Sequence, residues 1–239
     1  MPYVVTVGWR DVPHISEKEQ KELAASIPPH QLDARSRGVP MLGSGAIYPV
    51  NEEDVAVEPF PLPDYWTKGY GLDVGWNWTA AVFAAHDRDT DTVYIYDVYK
   101  QGKAEPAIHA AAIKARGDWL PGEIDPAARG RGQKDGEQLM AIYEELGLRI
   151  APADNTVEAG IAAVWQRLST GRLKVFKHLA DWFAELRIYR RDENGRIVKS
   201  NDHCMDATRY RLMRLHHMIS TAEALHGGAR RTRYNGDSA

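Results

Sequence analysis

Two apolar runs meeting at a tight turn dominate the chain: Tyr70 to Ala85, YGLDVGWNWTAAVFAA, with the turn at Gly75 to Asn77. Val, Leu, Trp, Phe and Ala fill both arms, as in strands of a buried sheet. The pattern predicts strands over Lys68–Val74 and Trp78–His86, and a third over Thr92–Tyr99, after a polar turn at Asp87–Asp91. These three make an antiparallel meander. Downstream the period lengthens. Ala104–Arg116 reads as a helix and Glu123–Asp125 as a very short strand. Gly136–Leu146 is predicted helical with Gly147 as its C′ residue, and Leu148–Ala151 is a second short strand. Helix, strand, helix, strand in that order implies right-handed parallel crossovers.

Val157–Ser169 is helical, with Ile161, Val164, Trp165 and Leu168 at core spacing. Leu173–Phe176 is a strand and Ala180–Arg187 a helix. Asp192-Glu193-Asn194-Gly195 is a hairpin turn between Ile188-Tyr189 and Ile197-Val198. Asn201 is placed to cap a last helix from Asp202 to about Leu225. Near the N-terminus, Tyr3–Val7 is a short strand, and Ser16 with Glu19 forms a capping-box pattern opening a helix over Glu17–Ser26. Ala46–Val50 is briefly extended. Asn51–Pro63 shows no period and holds Pro59, Pro61 and Pro63, so it reads as a linker or a surface arm. The expected division is an extension over 1–63, a domain over 64–226 and a disordered Arg-bearing tail over 227–239.

Composition changes this picture little. The chain has 239 residues, 44% hydrophobic and 26% charged, and a net charge of −3, so a soluble α/β domain is allowed and no general basic field is present. Cys204 is the single cysteine, which excludes an intramolecular disulfide and a cysteine-only zinc site. No apolar run is long enough to span a membrane and no signal-peptide pattern is seen, so a cytoplasmic location without membrane contact is expected.

The candidate chemistry is carboxylate. Asp is depleted in strands and costly to bury alone, yet Asp73 sits inside the first meander strand. Asp125 ends the first parallel strand. Asp206 lies one turn into the final helix, with Asp202 and His203 beside it. Each has a bland alternative: Asp125 before a proline starts a turn, Asp202 serves the helix macrodipole, and His203 is a surface residue. On the helical wheel, Cys204, Thr208, Leu212, Leu215 and Ile219 form one stripe, and Tyr210, Met213 and His217 continue the Asp206 line. The period alone leaves open which side meets the sheet. Together the acids meet a chemical demand, because two divalent ions about 3.5–4 Å apart need carboxylates from several elements. Hard ions such as Mg²⁺ or Mn²⁺ take oxygen ligands. After Asp125, the loop Pro126–Lys134 carries Arg129, Arg131 and Lys134 among small residues, suited to holding a phosphate backbone.

The motifs Gly71-Leu72-Asp73-Val74-Gly75-Trp76, Asp125-Pro126-Ala127 and Asp202-His203-Cys204-Met205-Asp206-Ala207-Thr208-Arg209-Tyr210 resemble the nuclease domain of tailed-bacteriophage large terminase subunits. Trp9-Arg10-Asp11-Val12-Pro13-His14, Ala34-Arg35, Gly38-Val39-Pro40 and Met41–Pro49 resemble the segment leading out of that family's motor. The last acidic motif is the most specific part. The resemblance implies an α/β, RNase H-like mixed sheet, a three-stranded antiparallel meander plus parallel strands flanked by helices, with an N-terminal extension.

It further implies a metal-dependent endonuclease that cuts double-stranded viral DNA during packaging, with low base specificity. Asp73, Asp125 and Asp206 would be the catalytic, metal-binding acids, and His203 and Asp202 subsidiary metal ligands. Two Mg²⁺ or Mn²⁺ ions are expected, with Asp73 bridging them. Arg129, Arg131 and Lys134 would hold DNA. Portal protein, small terminase subunit and an ATPase motor domain are the implied partners, and the infected host's cytoplasm the location. The chain has no G-x-x-x-x-G-K-[ST] loop, so it should not translocate DNA alone. Two other readings are a catalytically silent portal-docking module and an actin-like phosphotransferase built on Asp73-Val74-Gly75.

Overall fold

The structure, a computed structural model, describes residue 16 and residues 18–20, 45–125 and 135–225, with the side chains of 135–138 outside the description. The chain divides into two compact units, one of residues 1–49 and 190–198, the other of 50–189 and 199–239. In the larger unit, helix α1 (Glu52–Val55) leads into strand β1 (Ala56–Val57). The meander follows as β2 (Thr67–Asp73), β3 (Thr79–Asp87) and β4 (Thr92–Gln101). Then come α2 (Pro106–Lys114), β5 (Pro121–Ile124), α3 (Asp135–Glu145), β6 (Arg149–Pro152), α4 (Val157–Ser169), β7 (Leu173–Phe176), α5 (Ala180–Ile188) and α6 (His203–Leu212).

Among the described residues the strands form one seven-stranded sheet in the order β1-β7-β4-β3-β2-β5-β6. β2, β3 and β4 pair antiparallel, as the apolar runs predict. β5 adds to β2, β6 to β5, β7 to β4 and β1 to β7, all in parallel. The expected parallel pairings are thus present, and they extend the sheet from both edges of the meander. One expectation is corrected here. Residues 51–57, read as an arm without regular structure, form α1 and β1; Ala56 and Val57 pair with Val175 and Phe176. A two-residue strand is too short to show a period, which is why the pattern missed it.

Parity on β2 decides what each face can do, because neighbouring side chains point to opposite faces. Tyr70 and Leu72 enter a core with Phe83, Ile113, Leu120, Ile124 and Tyr143, beneath α2 and α3. Gly69, Gly71 and Asp73 take the other face, and there α6 packs across β2 and β3. Gly71 is what admits it. A Cβ at that position would collide with the carbonyl oxygen of Ala207, in the middle of α6.

α6 is buried on every side, from Cys204 through Leu212, between the sheet, α4 and α5. Both stripes read from its sequence are therefore covered. The helix is shorter than expected. It ends at Leu212, a 3₁₀ turn follows over Leu215–His217, and Met218 is extended. The cause is a backbone pair: Lys68 N donates to Ile219 O at 2.7 Å and Ile219 N to Lys68 O at 3.2 Å. A second capping box, Ser220 with Glu223, then opens a helical stretch over 221–225. Trp165, expected in the core, is only half-buried, while Ile161, Val164 and Leu168 are buried.

Local signals elsewhere hold. Ser16 Oγ accepts from Glu19 N at 3.3 Å while Glu19 Oε2 accepts from Ser16 N at 2.9 Å, the capping box read from the sequence. Gly147 closes α3 at φ +88°, a left-handed conformation that glycine adopts at no steric cost. In the smaller unit, the Asp192–Gly195 turn forms, with Asp192 Oδ1 accepting from Asn194 N and Arg196 N. Its flanking pairs are Arg191 with Ile197 and Arg190 with Val198, because Ile188 belongs to α5. The strand expected at Tyr3–Val7, the loop Pro126–Lys134 and the tail 227–239 lie outside the described residues.

Candidate metal centre

β2 and β5 are adjacent and parallel, so their carboxyl ends meet at one edge of the sheet, where open α/β sheets hold ligands. Asp73 is the last residue of β2. Asp125 follows β5 directly, and its N–H donates to Leu72 O at 3.1 Å, which fixes it beside Asp73 along the pair. Asp206 stands in the first turn of α6, one residue before the Ala207 carbonyl that meets Gly71. Strand register sets two of the acids, and the close approach of helix to glycine sets the third.

All three line one open cleft of about 1300 Å³, together with Asp202, His203 and Lys199. The direction of Asp206, left open by the helical period, is therefore towards the sheet's carboxyl edge. The sequence-derived acids are brought together. Asp73 feels the other two: burial pushes its carboxyl up to about 6, with further upward pressure from the charges of Asp206 and Asp125 and an opposing hydrogen bond from His203. Nδ1 of His203 lies 2.7 Å from Asp73 Oδ2, and this bond raises the imidazole's affinity for its proton. His203 is thus turned into the site and away from the bland surface reading.

Two neighbours escaped the sequence reading. Lys199 places Nζ 2.9 Å from both Asp202 Oδ2 and Asp206 Oδ2, and these two carboxylates hold its proton more firmly than usual against the cost of burial. Glu185 on α5, 1% exposed, accepts from Cys204 N at 2.6 Å and pairs with Lys100 Nζ at 2.7 Å. It satisfies an N–H at the start of α6, the task expected of Asn201, which instead takes φ +51°. The residue before the helix is Asp202, and its side chain caps nothing. Neither neighbour has a sequence signal, because both act from other elements.

The donor chemistry fits a hard divalent ion, with carboxylate oxygens whose charges repel one another. Among the described residues no group of three or more His, Cys, Asp and Glu side chains is drawn close enough to hold a metal as it stands. Instead, protein groups engage the acids: the cations of Lys199 and Arg209 on Asp206, and the His203 imidazole on Asp73. Arg129, Arg131 and Lys134 lie outside the described residues.

Comparison with known proteins places this geometry. The model of the terminase RNaseH-like domain family matches residues 70–215, from the first meander strand to just beyond α6. The chain belongs to this family. The large terminase subunit of Enterobacteria phage LP7 is 34% identical over 218 residues, covering 88% of this chain and 46% of that protein. The chain thus spans less than half the length of that relative. The nuclease domain of the P22 large terminase superposes with a TM-score of 0.72 at 32% identity, over 77% of this chain and 98% of that domain. The large terminase nuclease of the thermophilic phage G20c, solved with bound magnesium, shares the fold at a TM-score of 0.51 and 17% identity, over 71% of this chain and 97% of that one. The seven-stranded mixed sheet is accordingly an RNase H-like nuclease fold.

Proposed function

We propose that this chain is the nuclease part of a phage large terminase subunit, a divalent-metal-dependent endonuclease that cuts double-stranded DNA during genome packaging. One observation carries the reading. Asp73, Asp125 and Asp206, from two strand ends and a helix, share a cleft in which Asp73 is desolvated and repelled by the other two. Gathering like charges in a desolvated cleft is a cost that a folding role does not repay.

Asp73, Asp125 and Asp206 would hold Mg²⁺ or Mn²⁺, with His203 and Asp202 alongside; the magnesium in the G20c relative supports this choice. Held by these residues, a pair of such ions would supply an activated water and charge stabilisation for the 3′ oxygen leaving in an in-line displacement. His203 orients Asp73 and shares a proton with it at Nδ1. Lys199 neutralises Asp202 and Asp206 while no ion is bound. Arg129, Arg131 and Lys134 would grip phosphates without reading bases.

The whole assembly is part of the same proposal: an ATPase motor domain on the N-terminal side, the small subunit and the portal protein as partners, and the cytoplasm of the infected host as the place of action. Residues 1–63 are the motor-side segment, except that the nuclease unit begins near Val50, since β1 pairs with β7. The expected domain 64–226 supplies the rest of that unit apart from 190–198, which group with the smaller unit, and 227–239 are the tail.

The test is nicking of supercoiled plasmid in Mn²⁺, with and without chelator. Wild-type chain should nick and the chelator should stop it. Equal nicking by Asp73→Ala would remove the assignment.

A further inference from the structure

The turn between β2 and β3 begins directly after Asp73 and carries Trp76 and Trp78, which are 65% and 42% exposed. Both line the carboxylate cleft, as do Lys100 and Lys103. Large aromatics left in water at a functional cleft point to a ligand with an apolar face. Their backbone is fixed. Thr79 Oγ1 donates to Gly75 O at 3.1 Å, and Lys103 N donates to Trp76 O at 2.8 Å. Gly102 lies so close that a Cβ there would collide with the carbonyl oxygen of Asn77.

The two indoles differ in what covers them. Lys100 Nζ sits 5.0 Å from the centre of a Trp78 ring and also pairs with Glu185, the residue that holds the start of α6. Trp78 therefore shields a structural ion pair. Among the described residues no ring or cation covers Trp76. Lys103, exposed beside it, makes no side-chain hydrogen bond or ion pair among the described residues. A rigidly mounted bare indole with an exposed cation next to it is the pairing that single-strand grooves use, the ring taking a base and the cation a phosphate.

We propose that Trp76 is a stacking platform for an unpaired nucleobase of the strand held in the cleft, with Lys103 on a neighbouring phosphate. The inference rests on the DNA-cleaving reading and deepens it. The strand at the carboxylates is locally unstacked, so single-stranded or mismatched DNA is held more tightly than perfect duplex of the same length.

The test is binding of the full chain to labelled single-stranded and duplex oligonucleotides in Ca²⁺ at fixed salt, read by anisotropy and tryptophan quenching. Trp76→Ala should weaken single-strand binding ~10-fold, the scale of one stacked base, and Trp76→Phe should restore most of it. Lys103→Ala should weaken both substrates and lower the salt slope by about one. Thermal melting should stay unchanged for Trp76→Ala, since the ring is exposed. Unchanged single-strand affinity in Trp76→Ala, or no single-strand binding by wild type, overturns the inference. Plasmid nicking separates the two readings: a chain that fails to nick but needs Trp76 for single-strand binding keeps the subsite and loses the nuclease assignment. A chain that nicks while Trp76→Ala binds normally does the reverse.

Discussion

Nδ1 of His203 stands 2.7 Å from Oδ2 of Asp73, joining the first residue of α6 to the last residue of β2. Among the described residues it is the one hydrogen bond that works against the burial and like charge acting on Asp73. The carboxyl still titrates at about 6, above the 3.8 of a free aspartate. The folded state therefore binds this proton more tightly than the unfolded chain does. Stability from it is fully present below the unfolded value and is lost as pH rises through 6.

Asp73→Asn should accordingly stabilise the metal-free protein at pH 8 by ~1–2 kcal/mol, a discounted share of the linkage expected from that shift. The gain should shrink as pH falls from 6 towards 4. Melting curves in chelator across that range check both the sign and the window.

Divalent ions should oppose the same repulsion. Millimolar Mg²⁺ or Mn²⁺ is expected to raise the melting midpoint of the wild type, and chelator to reverse it, because a ligand bound only by the folded state stabilises by mass action. In Asp73→Asn the rise should be largely gone. An equal rise in both proteins would place the ions elsewhere.

Lys199 is 60% exposed at its side chain although it contacts two carboxylates. Its partners Asp202 and Asp206 are 9% and 10% exposed, so Lys199→Ala should destabilise by about 1 kcal/mol, more than the loss of a fully exposed pair and less than that of a buried one. Its charge nevertheless stands where a cation would bind. Divalent titrations followed by melting or calorimetry should show tighter ion binding in Lys199→Ala than in the wild type.

Gly71→Ala has no room for its methyl against Ala207. Helix α6 must move away from β2, at a cost of about 3 kcal/mol for an overpacked contact. Chemical denaturation measures that cost. Nicking should fall with it even though no acid is changed, since Asp206 moves with the helix.

Glu123 and Arg211 form a buried pair, Oε2 to Nη1 at 2.5 Å, both side chains 1% exposed. Removing one partner leaves the other charge buried, so Glu123→Ala should cost ~3–5 kcal/mol, and Glu123→Leu with Arg211→Met should recover much of it. Urea midpoints for the single and double variants decide the outcome.

The meander, the crossovers and the boundaries of α4 and β7 were legible because each rests on a local period. Asp73 and Asp125 were legible for a related reason: an Asp inside or closing an apolar run breaks the pattern, although the structure ends β2 at Asp73 where the reading carried the strand to Val74. Other features had no such trace. Glu185 caps α6 from α5, and Lys199 reaches Asp206 from outside the helix. The end of α6 was misplaced because its cause is pairing with Lys68, far away in the chain. Ser220 with Glu223 did carry a readable capping signal, which marks a new helical start within the stretch predicted as one helix.

By itself the sequence determined most of the elements, the family motifs and the candidate acids, since these depend on composition and spacing within a few residues. Only the tertiary structure decided that Asp206 faces Asp73. A helix buried on all sides has no single apolar stripe to orient it. Its direction comes from Gly71, whose missing side chain lets Ala207 approach the sheet.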